Sequence, residues 1–521
     1  MRRCDIAVIG GGFAGSIMAR VLASIGLDVM VFERQRHPRF AIGESSTPTA
    51  DLVLESLCRR FRLDDLLPLC RYGSARTLAP EVIVGPKRGF TYVDAQVDPA
   101  ASAADPSERR RRELLVAASE SLEQGDTHWH RASVDAYLAR SLAPNGVELQ
   151  EGCEVGNFRS IADRWRFEVV PQDASVGSER ASRSAAFAVE ADGIIDASGV
   201  GSPFVRALGL KTSSDRFRTR SGAVFGHVEG WRPWGEVLDE ARWPRTEHPF
   251  ACDQAALHRV ADDGWLWQLA FDSGVTSVGW CVAPEAVPSV ERANDWWNER
   301  LARFPSIAAQ ASSARRIAPE GTWGVVPRMQ FRRERNAGPN WWLLPSAAGF
   351  VDPLHSSGIA HALVVIERLG EHFAARADRL LPDARATAEH DWMMTAEIDW
   401  IDRLVGLGYR SMHDFREFTL ASMPYFVAAI RFESLRAEDR TARPGFLAWN
   451  DPSLRKVIER FEQELSAWQA TGGRLDQADD ATFDRLAARL RSTLMPIDRA
   501  GLLDPAAHPY YLRSAAPTKQ G

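Results

Sequence analysis

The sequence predicts an α/β fold with three parts: a nucleotide-binding domain of strands and helices, an antiparallel β-sheet domain, and a C-terminal helical region. Three observations lead to this class. Glycine-rich turns follow apolar runs near the start, middle and two-thirds point of the chain. Short apolar or alternating runs fill residues 212–335, and helical spacing dominates from residue 376 onward. A chain of 521 residues, 45% of them hydrophobic, is long enough to bury more than one core.

Composition and charge exclude several classes of protein. The formal net charge is -6, and the run Arg109–Arg112 is flanked by acidic and small residues, so we expect a solvated loop and no nucleic-acid site. The six cysteines have neither disulfide nor zinc-site spacing, which predicts a reducing, cytoplasmic environment and no metal site. No apolar run approaches the roughly 18 residues that a membrane span needs.

The first glycine-rich turn has the spacing of a dinucleotide site. An apolar strand precedes Gly10, and the second strand ends at an acid. In a GxGxxG turn the first glycine forms the tight turn, the second admits the pyrophosphate, and the third lets helix and strand pack closely. The pyrophosphate lies at the helix N-terminus and the acid binds a ribose hydroxyl, which predicts a Rossmann-like domain. The residues predicted to bind there are Gly10, Gly12, Phe13, Ala14, Gly15, Glu33 and Arg34.

Two further glycine-rich segments indicate that this dinucleotide is FAD and not NAD. Residues 191–210 predict a strand, a small-residue turn and a helix, and residues 341–363 predict a strand, an acid for a ribityl or ribose hydroxyl, and an anion-favouring helix start. No second GxGxxG module for NADPH is evident, so we expect electrons from a separate flavin reductase or from NAD(P)H as a transient reductant. The predicted FAD contacts here are Ala197, Ser198, Gly199, Asp352, Ser357, Gly358 and Ile359.

Four segments together resemble the FAD-dependent halogenases and halogenase-like flavoprotein monooxygenases, single-FAD-module enzymes of the para-hydroxybenzoate-hydroxylase-like superfamily. They are GGGFAGS at 10–16, IGESSTPT at 42–49, HRASVDAYL at 130–138 and GFVDPLHSSG at 349–358. The resemblance covers most of residues 1–370. It implies that residues 42–49 are a flavin-side loop in which Glu44 and Ser45 lie beside FAD, and that Arg131 contacts FAD.

The resemblance also implies a catalytic lysine. In such halogenases reduced flavin and oxygen form a C4a-hydroperoxide, which oxidises halide to hypohalous acid, and a lysine in a K-x-G strand captures or directs the halogen. The stretch GPKRGFTY places Lys87 in that pattern. An apolar wall can make a lysine reactive because burial lowers the pKa of an ammonium group. The alternative is a strand-end lysine that reaches solvent.

The halogenase hallmark WxWxIP is only partly kept. It is taken to separate substrate from the flavin, and here the stretch is GWLWQLAFDSG. Trp265 and Trp267 have the right spacing, whereas Leu269 and Ala270 replace isoleucine and proline. Loss of the proline removes a fixed kink. Two tryptophans on one side of an ordinary core strand would give the same pattern.

His355 matches neither subgroup of the family. Tryptophan halogenases are expected to carry glutamate at this position and phenolic-type members an apolar residue. Histidine titrates near neutral pH, so His355 could act as acid or base toward a phenol or indole. It could equally hydrogen-bond a turn carbonyl and play no chemical part. His361, on the following helix, is expected to pack.

These features favour a FAD-dependent monooxygenase that hydroxylates an electron-rich aromatic compound with O2. The substrate would be a phenol or indole, free or as a Trp or Tyr side chain of a peptide. The alternative is an FADH2-dependent halogenase that uses Lys87. A third hypothesis is a prenyl or lipid reductase, or a non-catalytic FAD-binding protein. Under the first hypothesis Lys87, His355, Trp265 and Trp267 surround the reaction.

The predicted organisation divides the chain into seven ranges. The FAD-binding parts are 1–96, 126–211 and 336–375, with an exposed loop or insertion at 97–125, an antiparallel substrate-domain sheet at 212–335, a helical cap at 376–512 and a disordered tail at 513–521.

Overall fold

A computed structural model describes residues 1–172, 186–375, 381–439, 443–504 and 509–511. The predicted tail at 513–521 lies outside these residues. The strands are β1 (Arg2–Ile9), β2 (Val29–Glu33), β3 (Val84–Lys87), β4 (Gly89–Asp94), β5 (Glu113–Ala117), β6 (Asp126–Trp129), β7 (Glu148–Glu151), β8 (Cys153–Ile161), β9 (Arg164–Pro171), β10 (Phe187–Asp196), β11 (Thr212–Ser213), β12 (Gly222–Glu229), β13 (Ala256–Ala261), β14 (Gly264–Ala270), β15 (Val275–Val282), β16 (Arg315–Ala318), β17 (Gly324–Val326), β18 (Phe331–Arg333), β19 (Ala337–Gly338), β20 (Trp341–Leu343), β21 (Gly349–Phe350) and β22 (Tyr510–Tyr511).

The α-helices of the described residues are α1 (Phe13–Ser24), α2 (Pro48–Phe61), α3 (Tyr72–Ala75), α4 (Pro99–Ser102), α5 (Pro106–Arg112), α6 (Arg131–Arg140), α7 (Pro203–Ala207), α8 (Trp234–Glu240), α9 (Ala293–Ala302), α10 (Pro305–Ala311), α11 (Pro345–Ala348), α12 (Ser357–Ala374), α13 (Ala384–Ser411), α14 (Phe415–Ala421), α15 (Met423–Glu438), α16 (Pro452–Gln469) and α17 (Asp480–Leu494). No helix among the described residues is long and apolar enough to cross a membrane.

The first sheet brings the three glycine-rich segments to one edge. Its strand order is β19-β20-β10-β1-β2-β7, with β9 on β10 and β8 on β9, and β20, β10, β1, β2 and β7 are parallel. Ile9 pairs with Phe32 and with Asp196, and Asp196 pairs with Leu343. The turns after β1, β10 and β20 therefore meet at the carboxyl edge, where ligands bind in such sheets. The predicted fold class is confirmed.

The second sheet contains the strands that carry Trp265, Trp267 and the residues after Lys87. Its order is β16-β12-β15-β14-β13-β4-β5-β22, with β17 also on β12. The strands β12 to β15 are antiparallel, as predicted for residues 212–335, but β4 joins β13 in parallel and extends the sheet with residues outside that range. Rings of α14 and α15 contact this sheet, since Phe418 packs on Tyr92 and Phe426 on Phe90.

The segment 97–125 differs from its prediction as an exposed loop. Residues 113–117 form β5, which is wholly buried between β4 and β22. The basic run before it forms most of α5, where Arg112 binds Asp94 and Arg111 binds Asp480. The polar composition of the whole range hides the short apolar run ELLVA, and burial of a five-residue strand needs no more than such a run.

Candidate active site

The glycine turn after β1 has the geometry its sequence predicts. Gly10 has φ +100, and a Cβ on Gly15 would lie 1.9 Å from the Gly10 carbonyl oxygen. Gly12 is the N-cap residue of α1, whose first turn has no acidic residue. Ala14 is buried in the same turn, and the Phe13 ring lies 4.7 Å from the Arg131 guanidinium carbon. Among the described residues, no side chain caps the start of α1.

Two guanidinium groups converge on Gly12. An ideal Cβ there would lie 3.1 Å from Arg39 Nη2 and 3.6 Å from Arg131 Nη2. Arg131 donates to both Asp135 oxygens at 2.9 Å and to the carbonyls of Ile42 and Gly43, so it also holds the start of the 42–49 segment. A helix N-terminus with two guanidinium groups fits an anionic pyrophosphate, so these residues fit FAD.

The acid at the end of β2 lies where a ribose hydroxyl is expected. Glu33 accepts hydrogen bonds from the backbone N–H groups of Gly11 at 2.8 Å and Gln35 at 2.9 Å. Arg39 Nη2 lies 3.4 Å from the same carboxylate. Sequence reasoning missed Arg39, because it stands in a loop with no motif around it. Arg34 was predicted instead, and its side chain is exposed.

Replacing Arg39 with alanine is expected to weaken FAD binding by about 10- to 100-fold, because a charge-assisted hydrogen bond is worth roughly 1.5–3 kcal/mol. The measurement is the dissociation constant of FAD by flavin fluorescence titration. Arg34→Ala is the matched control and should leave the constant within about twofold of wild type. Equal weakening by the two substitutions would contradict the assignment of Arg39 to the pyrophosphate.

The second and third segments complete the edge of the first sheet. Asp196 accepts hydrogen bonds from the Ser198 backbone N–H at 2.9 Å and from its hydroxyl at 2.6 Å, which folds the turn through Ala197 and Gly199 (φ +83). At the third segment α12 begins with Ser357, Gly358 and Ile359, after Ser356 in the left-handed region. Only one atom, at 4.0 Å, would meet a Cβ on Gly358. The helix start is therefore accessible to a ligand.

Asp352 is a buried hub between these segments and the second sheet. Its Oδ2 accepts from Ser221 and, at 2.6 Å, from Tyr409, and its Oδ1 accepts from the Leu354 N–H at 3.0 Å. Tyr409 in turn accepts a hydrogen bond from Trp265 Nε1 at 3.0 Å. The carboxylate thus links the third FAD segment to the first hallmark tryptophan, and Tyr409 is a link that the sequence did not reveal.

Burial raises the pKa of Asp352 to about 6, because lost hydration outweighs the hydrogen bonds from Ser221 and Tyr409. An unfolded aspartate titrates near 3.9. Between these values the folded protein binds the extra proton, so stability falls as pH rises through about 4 to 6.

Replacing Asp352 with asparagine should remove that dependence. Between pH 4 and 7 we expect the free energy of unfolding of the variant to gain roughly 2–3 kcal/mol relative to wild type. Urea titrations of both FAD-free proteins across this range provide the measurement, with the exposed Asp215→Asn as control. A difference between Asp352→Asn and wild type that does not change with pH would contradict the raised pKa.

The 42–49 segment is tied to the second hallmark tryptophan. Glu44 Oε1 lies 2.6 Å from His227 Nε2, and Glu44 Oε2 accepts from the Ser277 hydroxyl at 2.6 Å. Trp267 Nε1 donates to the same Ser277 hydroxyl at 3.2 Å. Ser45 Oγ is buried and has no hydrogen-bond partner among the described residues. Each tryptophan of the altered hallmark is therefore connected through one hydroxyl to a predicted FAD segment.

Lys87 ends β3 and is completely buried, so the alternative that it reaches solvent is wrong. Its Nζ donates to the Ser46 carbonyl of the 42–49 segment and lies 4.1 Å from the centre of the Phe90 ring. The lysine thus connects the flavin-side loop with a group of rings, which we call the aromatic chamber. Its members are Lys87, Phe90, Tyr92, His258, Trp265, His355, Phe418, Tyr425 and Phe426.

Strand geometry explains why the chamber forms. Phe90 and Tyr92 are two residues apart and therefore lie on the same face of β4, and Tyr92 pairs with His258 of β13. The His258 ring lies 4.8 Å from the Trp265 ring of β14, edge to face. Aromatic residues two apart on adjacent strands therefore form a continuous wall, which the rings of α14 and α15 cover.

His355 lies in this chamber with its imidazole fully buried. Its Nδ1 lies 2.9 Å from the Tyr92 hydroxyl oxygen, and its ring stacks on Tyr425 at 4.4 Å. Burial lowers the pKa of His355 to about 3, so the imidazole stays neutral even at mildly acidic pH, where an exposed histidine would be protonated. Its partner is a side chain and not a turn carbonyl. His361 lies elsewhere, 3.2 Å from Glu397 and stacked on Phe446.

Comparison with known proteins places this geometry in a family. The model of the FAD dependent oxidoreductase family (DAO) matches residues 5–343. The chain belongs to this family. It is therefore an oxidoreductase-type enzyme whose cofactor is FAD, as the sequence predicts.

Several relatives of this flavoprotein, and several solved structures of other proteins that resemble it, are halogenases. The chain is 28% identical over 518 residues to monodechloroaminopyrrolnitrin halogenase PrnC of Pseudomonas fluorescens, covering 94% of this chain and 84% of the relative. It is 25% identical to tetracycline 7-halogenase of Kitasatospora aureofaciens, covering 80% and 71%. The structure of halogenase PltM with phloroglucinol and FAD superposes with a TM-score of 0.81 at 21% identity, covering 97% and 99%. The last similarity shows a common fold.

These similarities favour the halogenase hypothesis over the monooxygenase hypothesis. The sequence alone favoured hydroxylation, with halogenation as the alternative. Relatives that span most of this chain are halogenases, so the alternative is better supported.

Proposed function

We propose that this flavoprotein is a flavin-dependent halogenase that acts on an electron-rich aromatic compound. The observation that carries the proposal is the position of Lys87, buried between the flavin-side carbonyl of Ser46 and the ring of Phe90. Lys87 thus joins the predicted flavin-side segment to the chamber, where a hypohalous acid formed beside the flavin could reach it. The halogenase relatives support the same reaction.

Each part of the site has a distinct task in this proposal. Bound FAD, once reduced, supplies with O2 the two oxidising equivalents that convert halide to hypohalous acid. Lys87 holds and directs that acid by hydrogen bonding or capture at Nζ. Trp265, which belongs to the chamber wall, and Trp267 would keep the substrate apart from the flavin, and their indole N–H groups are held by Tyr409 and Ser277. Burial of the whole group excludes water that would consume the oxidant.

Hydroxylation remains the competing function, and the altered hallmark is the observation that favours it. Ala270 stands where the halogenase pattern has proline. In the structure residues 264–270 still form a regular strand, with both tryptophans on the chamber face. The change therefore leaves the placement of the indole rings intact.

The test supplies FAD, a flavin reductase with NADH, O2 and a panel of phenols, anilines and indoles, with and without bromide or chloride. Mass spectrometry of the products distinguishes the functions. A halogenated product that depends on halide supports the proposal. An oxygenated product formed equally without halide would establish the monooxygenase instead. Reoxidation of the flavin with every substrate left unmodified would contradict both the halogenase and the monooxygenase function.

A further inference from the structure

We infer that the aromatic chamber binds a phenolic substrate as its phenolate, and that His355 selects it by donating a hydrogen bond from Nε2. The inference rests on the proposed function, because the chamber is taken to hold the ring that is halogenated. It assigns His355 a role different from the general acid or base expected from sequence.

The hydrogen bond to Tyr92 determines which nitrogen of His355 carries the proton. The Tyr92 hydroxyl is buried, and His355 Nδ1 is its one hydrogen-bond partner among the described residues. If Nδ1 donated, the Tyr92 proton would remain buried without an acceptor, which costs roughly 1–3 kcal/mol. Tyr92 therefore donates to Nδ1. A neutral imidazole that accepts at Nδ1 carries its proton at Nε2.

The Nε2–H group of His355 is then a buried donor that has no acceptor among the described residues. His355 Nε2 has no hydrogen-bond partner in the described part of the chain and is shielded from solvent. A buried donor left unpaired is costly, whereas an oxygen anion on a bound ring would satisfy it with a strong bond. An aniline or indole N–H would instead oppose one donor with another. The chamber thus discriminates by hydrogen-bond polarity.

The other ionisable groups around His355 are consistent with an anionic ligand. Tyr92 faces it from β4, His258 from β13 and Tyr425 from α15. Burial, followed by the fields of His355 and Lys87, lowers the pKa of His258, so Lys87 acts there as a positive charge. No carboxylate contributes to the lowered pKa of His355, for which burial is the one cause. A phenolate at His355 would therefore meet donors and a cation. The one carboxylate that lines the neighbouring cavity, Glu433, accepts a hydrogen bond from the Thr49 hydroxyl at 2.8 Å.

Binding the substrate as phenolate also suits the chemistry. The electron-rich carbons ortho and para to the oxygen attack the electrophilic halogen of hypohalous acid. A carbon–halogen bond forms, the oxygen–halogen bond breaks, and the ring carbon is oxidised by two electrons as the halogen is reduced. The released hydroxide takes the ring proton and leaves as water. His355 keeps its own proton throughout.

Space for the ring begins at a small cavity of about 30 Å³ beside the chamber, whose lining includes Thr47, Phe90, Tyr425, Phe426 and Glu433. This volume suffices for about one water molecule. A substrate ring is larger than this volume, so a lining side chain must move when the ring binds. Phe426→Ala enlarges the cavity and keeps the imidazole of His355, although it removes the edge-to-face contact of the two rings at 5.7 Å.

The test measures binding to the holoenzyme with oxidised FAD, in the absence of reductant. Fluorine NMR follows 4-fluorophenol, whose phenol and phenolate forms have different chemical shifts, and 4-fluoroaniline serves as the matched amine. We expect the bound phenol to ionise at least about one pH unit lower than the free phenol. We also expect it to bind roughly tenfold or more tighter than the aniline, the factor expected for one hydrogen bond to an anion.

Three variants separate selection from folding. His355→Phe keeps an aromatic ring at this position. In this variant the pKa of bound 4-fluorophenol should no longer lie below that of the free phenol, while FAD affinity stays unchanged. His355→Gln retains a donor and should restore part of it. Tyr92→Phe removes the hydrogen bond that holds the His355 proton at Nε2, so either nitrogen can carry it. Discrimination between phenol and aniline should then fall, although both still bind. Phe426→Ala is used in parallel and should bind 4-fluorophenol at least as tightly as wild type.

Several results would overturn the inference: equal binding of phenol and aniline, unchanged ionisation in His355→Phe, or no phenol binding in wild type and Phe426→Ala. Halide-dependent products from anilines alone would leave the halogenase function intact and remove this inference. Binding of phenolate without any halide-dependent product would do the reverse.

Discussion

Lys87→Met is expected to lower the rate at which the substrate is halogenated by roughly two to four orders of magnitude, the range typical for a positioned reactive side chain. Methionine keeps most of the volume and the apolar stem, so the buried end of β3 should remain packed. The hydrogen bond to the Ser46 carbonyl and the positive charge over Phe90 are both lost. The measurement is the rate of halogenated product formation at saturating FAD and halide.

The FAD dissociation constant of the same variant is the internal check, and we expect it to change by less than about threefold. The matched control is Lys211→Met, which removes an exposed lysine. If Lys87→Met retained more than about half of the wild-type rate, Lys87 would be a structural residue. In that case the halogenase proposal would lose its principal observation.

Gly15→Ala is expected to weaken FAD binding by about 10- to 100-fold. An added Cβ would lie 1.9 Å from the Gly10 carbonyl oxygen, so α1 and the turn after β1 must move apart. Overpacking of this kind costs roughly 1–3 kcal/mol, and movement of the turn would displace the N–H groups that we expect to face the pyrophosphate. Flavin fluorescence titration measures the effect.

Gly156→Ala is the matched control, because a Cβ there meets no atom within 4 Å. That variant should bind FAD as wild type does. A thermal unfolding curve of each FAD-free variant shows whether Gly15→Ala also lowers stability, which we expect. Unchanged FAD affinity in Gly15→Ala would mean that the turn does not hold the pyrophosphate.

The FAD-binding part was predictable because its signals are local. The order of strand, glycines, helix and acid around Gly10, Gly12 and Glu33 needs no distant information, and the parallel register then aligns the other two turns. Arg39 was not predictable, since nothing in its neighbourhood distinguishes it from Arg34. Only the fold shows which of the two guanidinium groups turns back toward Gly12.

The strand β5 shows the same limit. A short apolar run inside a polar segment is ambiguous in sequence, and here pairing with β4 and β22 decides that it is buried. Packing also decided between the two alternatives for Lys87. The local pattern allowed a solvent-exposed lysine, whereas the buried position follows from Ser46 and Phe90, which lie on separate segments.

The sequence by itself indicated the family and the cofactor and predicted many of the candidate residues, though not Arg39 or Tyr409, because glycine spacing and motif order are properties of contiguous chain. The tertiary structure decided their chemistry. Whether Lys87 is buried, which nitrogen of His355 carries a proton, and how Asp352 titrates all depend on groups brought together from distant segments. Hydrogen-bond partners and desolvation set protonation states, and neither can be known before the chain has folded.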